Sequence, residues 1–407
     1  MIVSKSFRWS DSRSIIAMAA ALALGLSGQV HSDEGVLDTL QVHGFLSQAL
    51  IITDDNNFFG PSSEDEGSFK FTEIGANASL RPHEDVLLAA QVLSRRAGGD
   101  GSDATPKLDY GLIDYQMLSD QQRTFGIQLG RFKNPFGFYN QTRDVAFTRP
   151  SILLPQSIYF DRTRSLGLAG DGVSLYHEER LETGALRLQA GFGQVRIEDD
   201  VDRTLGLDRF PGSLEPDSSA IGQIRYEHDG GRVVMALSAA SANAEYDSPP
   251  GVPGDGKFHF EPWIISLQYN QELWSLTAEY AIRKLELEGF NAFADSERNG
   301  ESWYVQYTRR FNNDWQWLVR YDSLVNDRSD RSGKEFEAST GGSIPAHTQF
   351  ADDITLGLQW TPHPRVMLAG EYHHVDGTGW LPTQDNPDPS ETSRRWNMLL
   401  FQLSLRF

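Results

Sequence analysis

Basic residues gather in one stretch of this 407-residue chain, and their types point to anion binding. Six of them lie between positions 131 and 164, against two acidic residues, Asp144 and Asp161. Arginine binds carboxylate or phosphate oxygens in a bidentate way that lysine cannot reproduce. The predicted anion-binding residues are Arg131, Lys133, Arg143, Arg149, Arg162 and Arg164. The alternative is that these cations pair with Asp144, Asp161 and carboxylates elsewhere, and so hold the segment in place.

Other candidate chemistry is weaker. His373 and His374 are adjacent on a predicted strand, so their side chains point to opposite faces and cannot act together. The acidic runs 54–57 and 64–66 offer oxygen ligands for divalent cations, but solvated acidic loops are the better explanation. No zinc-ligand spacing, phosphate-binding glycine loop or nucleophile elbow occurs. We expect no metal site, no cofactor and no enzyme activity.

The basic stretch belongs to a long segment, residues 133–170, that is both apolar and irregular. Pro135, Pro150 and Pro155 argue against a central strand. Its aromatic and aliphatic side chains, among them Phe136 and Leu153, argue against a solvated loop. Such a segment must pack on something, so we predict a loop folded against the inside of its own protein or on a neighbouring subunit. Two further short strands with a plug-like turn are the alternative.

The elements that position this segment read as strands. Along the chain, stretches of period-two alternation are joined in turn by tight turns and by long polar loops. We count sixteen strands, with an uncertainty of about two. An even count with long loops on one side is the topology of a bacterial outer-membrane barrel, and sixteen strands enclose an aqueous channel. The predicted fold is all-β: a transmembrane antiparallel barrel with an inward-folded third external loop.

The last strand supports a lipid-facing barrel. Phe401, Leu403, Leu405 and Phe407 share one face, while Gln402, Ser404 and Arg406 share the other. A transmembrane strand needs an apolar lipid side and tolerates a wet inner side. Taken alone, this segment also fits a strand of a soluble β-sandwich.

The faces opposite the apolar side chains carry charged residues that are too polar for a dry interior. Several acidic residues, Glu279, Asp322 and Glu371, share these faces with arginines. We predict that the arginines face the lumen and extend the positive field of the loop. The predicted lumen-facing residues are Arg187, Arg225, Arg283 and Arg320.

The N-terminus predicts export. Lys5, Arg8 and Arg13 precede a short apolar run, and Val30-His31-Ser32 places small residues before a cleavage point. We therefore assign residues 1–32 to a signal peptide and residues 33–407 to the barrel. Removing the first segment takes away three of 36 basic and one of 56 acidic residues, leaving a net charge of −22. Such a chain is a poor partner for nucleic acid, and the absence of cysteine excludes disulfides.

One local motif resembles a known family. The run Gly130 to Gly137, G-R-F-K-N-P-F-G, is followed by Thr142-Arg143-Asp144 and Arg149-Pro150-Ser151. Together they resemble the strand-to-loop segment of the phosphate-selective porin family. The final Phe407, with alternating hydrophobic residues before it, resembles the signature that the outer-membrane assembly machinery recognises. The first resemblance implies a sixteen-stranded trimeric barrel with an arginine-lined constriction.

These observations predict a passive porin of the bacterial outer membrane, a diffusion channel for small hydrophilic solutes. The basic loop predicts a mild preference for anions such as phosphate or carboxylates. The expected partners are outer-membrane lipid and lipopolysaccharide, small-molecule solutes and two further copies in a homotrimer. An outer-membrane barrel enzyme of lipase or protease type, or a structural or adhesive barrel, is the alternative.

Overall fold

The computed structural model describes residues 35–98, 104–248, 256–290 and 295–407. The predicted signal peptide lies outside the described residues. Sixteen strands make up most of the described chain. In chain order, β1 to β16 are Gln41–Thr53, Ser68–His83, Val86–Ala97, Lys107–Ser119, Arg123–Lys133, Ala169–Leu181, Gly184–Val195, Ser213–His228, Val233–Asp247, Gly256–Asn270, Trp274–Glu288, Ser296–Arg310, Trp315–Val325, Phe350–His363, Val366–Gly377 and Arg395–Arg406.

The sheet is a closed barrel. Each strand pairs antiparallel with its sequence neighbours, and β1 pairs with β16 from Phe45↔Arg406 to Thr53↔Met398. Closure leaves no unpaired sheet edge, which is the condition for a sheet to sit in hydrocarbon. The prediction of an all-β antiparallel barrel with sixteen strands is confirmed.

The outer surface is apolar in the alternating pattern that the sequence predicted. On β10, Trp263, Ile265 and Leu267 are 48–60% exposed, whereas Ile264 and Ser266 between them are 1% exposed. Aromatic rings gather where the strands meet the short turns. Examples are the stacked Trp315–Trp360 pair, with centroids 5.4 Å apart, and the Trp274–Tyr307 pair at 5.8 Å. Aromatic rings at such a level mark a membrane interface.

Some strands run through prolines. One of them, β8, begins at Ser213 and passes Pro216. The pairing of β8 with β9 shifts between Pro216 and Ser219, so the proline sits in a bulge that needs no ladder hydrogen bond. A second shift, between Leu80 and His83, carries β2 past Pro82 in the same way.

Within the described residues, helical structure lies before β1 and in the connections between strands. Three short α-helices of this part of the chain, α1 to α3, span Arg164–Leu168, Asp199–Leu205 and Lys334–Ser339. The 3-10 turns are Val36–Thr39, Asn140–Thr142, Ala146–Thr148, Leu207–Arg209, Ala346–Gln349 and Pro389–Glu391. Within the described ranges, every helix is too short or too polar to cross a bilayer.

The interior holds apolar clusters as well as polar side chains. In the largest one, Phe58 and Trp380 from two long loops pack on Trp396 of β16 and on Ile152 and Leu153 of the third loop. All five side chains are at most 2% exposed. Burial of apolar surface stabilises by about 25 cal/mol per Å². The long loops therefore contact the inner face of β16 at this point, and we had not predicted so apolar a face on this strand.

A charged side chain on the outward face should lower the free energy of unfolding strongly at mid-strand and only slightly near the turns. Leu356, at the middle of β14, is 48% exposed, and Phe311, in the turn before β13, is 62% exposed. We expect Leu356→Arg to lower the free energy of unfolding by about 2–4 kcal/mol and Phe311→Arg by about 0–1 kcal/mol. Denaturant unfolding in lipid vesicles measures both. Equal costs for the two variants would contradict the lipid-facing assignment.

Candidate functional site

The third loop, residues 134–168, connects β5 to β6 and contacts strands far from both. At Gly137 its backbone N–H donates to Ser238 Oγ of β9 at 3.1 Å, and its carbonyl accepts from Gln223 Nε2 of β8 at 2.9 Å. Gly137 has φ +61°, and a Cβ there would lie 2.3 Å from the Tyr159 hydroxyl. The same Cβ would lie 2.9 Å from Glu279 Oε1 of β11, so glycine fits this position, between the loop and the wall, without strain.

Glu279 of β11 is the next contact. It is 2% exposed and accepts from the Phe138 backbone N–H at 3.0 Å and from the Tyr159 hydroxyl at 2.6 Å. The hydroxyls of Tyr304 and Ser266 donate to the same carboxylate at 2.8 and 2.6 Å. A buried carboxylate with four donors is well satisfied, so this contact fixes the loop at two points, Phe138 and Tyr159.

A second contact lies on β13 and β15. The backbone N–H groups of Ile152 and Leu153 donate to Glu371, the latter at 3.2 Å. The Arg320 guanidinium donates to Ser151 Oγ and to the Leu153 carbonyl, each at 3.1 Å. The loop backbone therefore donates to a carboxylate of the wall, Glu371, and accepts from a guanidinium of the wall, Arg320.

Between these contacts the loop reaches towards the short-turn end of the barrel. Gln359, near the end of β14, donates to the Arg149 carbonyl at 3.4 Å. The Arg406 guanidinium, at the end of β16, lies 4.3 Å from the centroid of the Phe147 ring. Both wall residues lie close to the turns that end their strands.

Four of the six predicted anion-binding residues come together in one buried group, here called the loop charge cluster. Arg149 donates to Glu73 at 2.9 Å, and Arg143 lies 3.6 Å from Asp161. Lys133 binds Asp109 at 2.5 Å and also Asp144, which in turn binds Arg164. The members are Glu73, Arg95, Asp109, Lys133, Arg143, Asp144, Arg149, Asp161 and Arg164.

The loop charge cluster contains five cations and four carboxylates, so nearly all of its charge is balanced internally. Burial lowers the pKa of Arg143 to about 10, although the Asp161 carboxylate opposes the shift. Burial also lowers the pKa of Arg164, and repulsion from Arg143 adds to the shift. Cations in such surroundings need their carboxylates, because a buried charge without a partner is strongly destabilising.

The other two predicted loop cations lie elsewhere. Arg131 shares the outward face of β5 with Leu129 and pairs with Asp171 of β6 at 2.6 Å. Arg162 lies over the Phe160 ring, 5.5 Å from its centroid, and has no ion-pair partner among the described residues. Burial lowers the pKa of Arg162 to about 10, so it remains protonated at neutral pH.

The four wall arginines all share the face opposite the exposed apolar residues, but they differ in exposure. Arg320 and Arg283 are 1% and 9% exposed and donate to the third loop, Arg283 to the Ser157 carbonyl at 3.2 Å. Arg187 and Arg225 are half-buried and lie directly opposite each other on β7 and β8. Arg225 pairs with Glu227 at 2.8 Å, whereas Arg187 lies 5.8 Å from the Tyr176 ring centroid.

The exposure of inner-wall side chains differs around the barrel. On β11 to β15 most inward-facing side chains are buried, with Glu279, Asp322 and His373 at 0–2% exposed. On β2 to β8 some inward polar side chains, such as Glu73 and Gln189, are buried as well, at 0% and 6% exposed, but several others keep part of their surface accessible. These are Asn77, Tyr110, Gln128, Arg187 and Arg225. At this side a cavity of about 470 Å³, open to solvent, is lined by β3 and β4, by the third loop, and by residues of the long connections 196–212 and 378–394.

Sequence reasoning missed the wall carboxylates of the loop charge cluster. Glu73 and Asp109 lie on β2 and β4 and are 0% and 3% exposed. Each is an acidic residue inside a strand that otherwise alternates, and that was the available signal. What it could not reveal is that Glu73 meets Arg149, 76 residues along the chain.

The histidine pair is split as predicted. His373 is buried between Asp353, 2.7 Å from Nδ1, and Glu371, 3.4 Å from Nε2. His374 faces outward and contacts Asn397 at 2.8 Å. The two rings lie on opposite faces of β15, so they cannot act on one substrate.

Solved structures of similar fold include a porin and other outer-membrane proteins. No family model and no curated protein matches the sequence. Among solved structures, the chain resembles an anion-selective porin from Comamonas acidovorans, at 11% identity and TM-score 0.56 over 90% of this chain and 99% of that chain. The outer-membrane channel DcaP of Acinetobacter baumannii gives 12% and 0.55, covering 93% of this chain and 100% of that chain. OmpT of Vibrio cholerae gives 10% and 0.55, with the same coverage. Identities this low show a shared fold.

Removing one partner of a buried pair should cost far more than removing one from a half-exposed pair. Arg149→Met removes one of the two guanidinium partners of the buried Glu73 and leaves Arg95 as the other, and we expect a loss of up to about 3–5 kcal/mol. Arg131→Met removes the same charge from a pair whose Asp171 is 48% exposed, and we expect at most about 1 kcal/mol. Unfolding in vesicles gives the free energies, and limited proteolysis reports release of the third loop. A comparable loss in both variants would contradict the structural role of the loop charge cluster.

Proposed function

We propose that this protein is a passive diffusion channel of the bacterial outer membrane for small hydrophilic solutes, with a mild preference for anions. The observation that carries the proposal is the uneven exposure of the inner wall. The third loop covers one side of the barrel, while several inward polar side chains on β2 to β8 keep accessible surface. The same fold occurs in proteins named a porin and an outer-membrane channel, which agrees with this proposal in kind.

The solute route in this proposal runs between the third loop and the β2–β8 wall. On the loop, Gln141, Thr142 and Thr148 are exposed. On the wall opposite, Gln189 of β7 accepts from Gln141 and lies next to Arg187 on the same inner face. Amides and hydroxyls on both sides suit hydrated polar solutes and give no strong affinity that would slow their release.

The proposed anion preference depends on cations that have no buried carboxylate as an ion-pair partner. Arg187 and Arg225 stand side by side on the accessible wall, and Glu227 offsets only part of their charge. Two unit charges about 4 Å apart interact by roughly 4 kcal/mol at an effective dielectric near 20. Acidic residues on the distant external loops are screened beyond about 10 Å at roughly 0.1 M salt. Local cations on the route therefore outweigh the acidic character of the whole chain.

The loop cations have another role in this proposal. Lys133, Arg143, Arg149 and Arg164 are balanced by carboxylates within the loop charge cluster, so they shape the passage by holding the loop. Arg162 differs because it faces the open cavity without an acidic partner among the described residues. We assign it, with the wall pair, to attraction of anions at the outer end of the route.

Assembly completes the proposal. A homotrimer in a membrane that contains lipopolysaccharide suits a barrel of this size, whose outward face carries a continuous apolar surface. Cross-linking in mild detergent, followed by mass measurement, tests this part independently of conduction. A single monomeric species would reject it.

Channel activity is tested directly. Purified protein added to a planar bilayer should give stepwise, ohmic conductance without an energy source, because a preformed water-filled route needs none. Heat-denatured protein serves as the control. A protein that inserts but stays silent, and that hydrolyses lipid or peptide, would replace this proposal with the enzyme alternative.

Selectivity has its own measurement, the zero-current potential across a potassium chloride gradient. We expect anion preference in the unmodified pore and a shift towards cations in the double variant Arg187→Gln, Arg225→Gln. The matched control is Arg131→Gln, which removes an outward charge and should leave the potential unchanged.

Two outcomes count against the assignment. Cation preference of the unmodified pore would reject anion selectivity altogether. An unchanged potential in the double variant, with conductance intact, would remove these two wall arginines from the route.

A further inference from the structure

Two carboxylates lie directly opposite each other beneath the third loop. Asp322 of β13 and Asp353 of β14 are cross-strand partners and are 0% and 2% exposed. Like charges in such a pair repel at a Cβ separation of about 5 Å. Both oxygens of Asp322 and Oδ1 of Asp353 are buried with no hydrogen-bond partner among the residues that the structure describes.

The loop brings a further oxygen to this place. Ser157 is 0% exposed, and its backbone N–H approaches the Asp322 carboxylate without completing a hydrogen bond. Its Oγ is buried and unpaired within the described chain. Ser302 Oγ of β12, diagonal to Asp322 across the strand pair, is in the same condition. The oxygens thus come from three strands and from the loop that covers them.

The charges around the pair do not balance. Arg320 is the neighbouring guanidinium, and it donates to the loop, to Gln306 and to Thr355. Glu371 uses both oxygens on the loop backbone. With Asp322 and Asp353 there are three carboxylates against one guanidinium. A neutral His373 leaves two negative charges, and a protonated one leaves a single negative charge.

Other cations are directed elsewhere. Arg283 of β11 also contacts Ser157, but its Nη1 donates to the Ser157 carbonyl and its Nη2 donates to the Val325 carbonyl. His373 approaches the other oxygen of Asp353, Oδ2, at 2.7 Å. The three unpaired carboxylate oxygens are therefore left for a ligand that is positively charged and prefers oxygen.

We propose that Asp322 and Asp353 bind one divalent, oxygen-preferring cation of the Ca²⁺ type, with Ser157 of the third loop as a further ligand. Calcium takes six to eight oxygen ligands in flexible geometry, including carboxylates that bind through one or both oxygens. Because Asp322 and Asp353 lie on strands and Ser157 lies on the loop, the bound ion would hold the loop to the wall. A proton shared between Asp322 and Asp353 would neutralise one charge and give partners to two of the unpaired oxygens. A bound cation gives a partner to all three unpaired carboxylate oxygens.

The test uses the full mature barrel, stripped with chelator and titrated with calcium chloride at constant ionic strength. Thermal unfolding should move to higher temperature with Ca²⁺ in the unmodified protein. Asp322→Asn should lose that response, and Ser157→Ala should weaken it. The matched control is Asp352→Asn, which removes the adjacent charge from the outward face of β14 and should keep the full response.

The outcomes separate the possible occupants. Equal Ca²⁺ responses in Asp322→Asn and the unmodified protein would overturn the site and assign the effect to acidic external loops. A response to potassium or sodium alone would overturn the divalent assignment. Greater stability of Asp322→Asn in chelator, with no calcium effect in either protein, would indicate a shared proton instead.

A second measurement needs no variant. Tyr304 is the cross-strand partner of Asp322 on the side of β12, so terbium bound at this site should luminesce when tyrosine is excited. Ca²⁺ should displace it in a single saturable step. Luminescence that calcium does not displace would contradict the proposal even if Asp322→Asn fails to insert.

Discussion

The fold of the third loop depends on three glutamates of the barrel wall. Glu73, Glu279 and Glu371 are 0–4% exposed, and each accepts hydrogen bonds or ion pairs from the loop. An irregular segment inside a barrel cannot satisfy its polar groups by forming a helix or a ladder, so the wall must supply partners. Carboxylates are suited to this because each offers several acceptor sites. The position of the loop, and with it the shape of the interior, follows from these three side chains.

In the proposed channel, the residues that hold the loop differ from those that attract solute. A segment rich in arginine suggests a positive passage, but most of these arginines pair with carboxylates that the loop needs for its own burial. In that proposal the field that a solute meets comes from the less covered wall, where Arg187 and Arg225 are cross-strand partners on β7 and β8. A proposed channel of this kind can change its selectivity on that wall without disturbing the anchors of the loop.

Anchoring is distributed around the barrel. Gly137 approaches β8 and β9, Phe138 and Tyr159 reach β11, and Leu153 reaches β15. The proposed cation between Asp322 and Asp353 adds a contact at Ser157, in the interval between the last two. Apolar packing of Ile152 and Leu153 against Trp380 and Trp396 adds a further contact, near the end of β16 that follows a long loop. Because these contacts are spread over many strands, the loop and the barrel form one packed unit.

The sequence by itself determined the barrel. Alternation with period two is a local property, and it located all sixteen strands and the lipid-facing side chains, such as Leu403 and Leu405. The same alternation, followed from Leu129, puts Arg131 on the outer face. We missed this because we treated the basic stretch as one unit. Prolines and aromatic residues also marked the third loop as irregular and packed.

Only the tertiary structure decided which charges meet. Glu73 pairs with Arg149, and Asp109 with Lys133, across distances in sequence that alternation does not encode. It also decided that Arg320 is covered while Arg187 stays accessible, although both lie on inward faces. The physical reason is that a strand pattern fixes the side on which a residue points. What lies on that side depends on closure of the barrel and on the path of the loop within it.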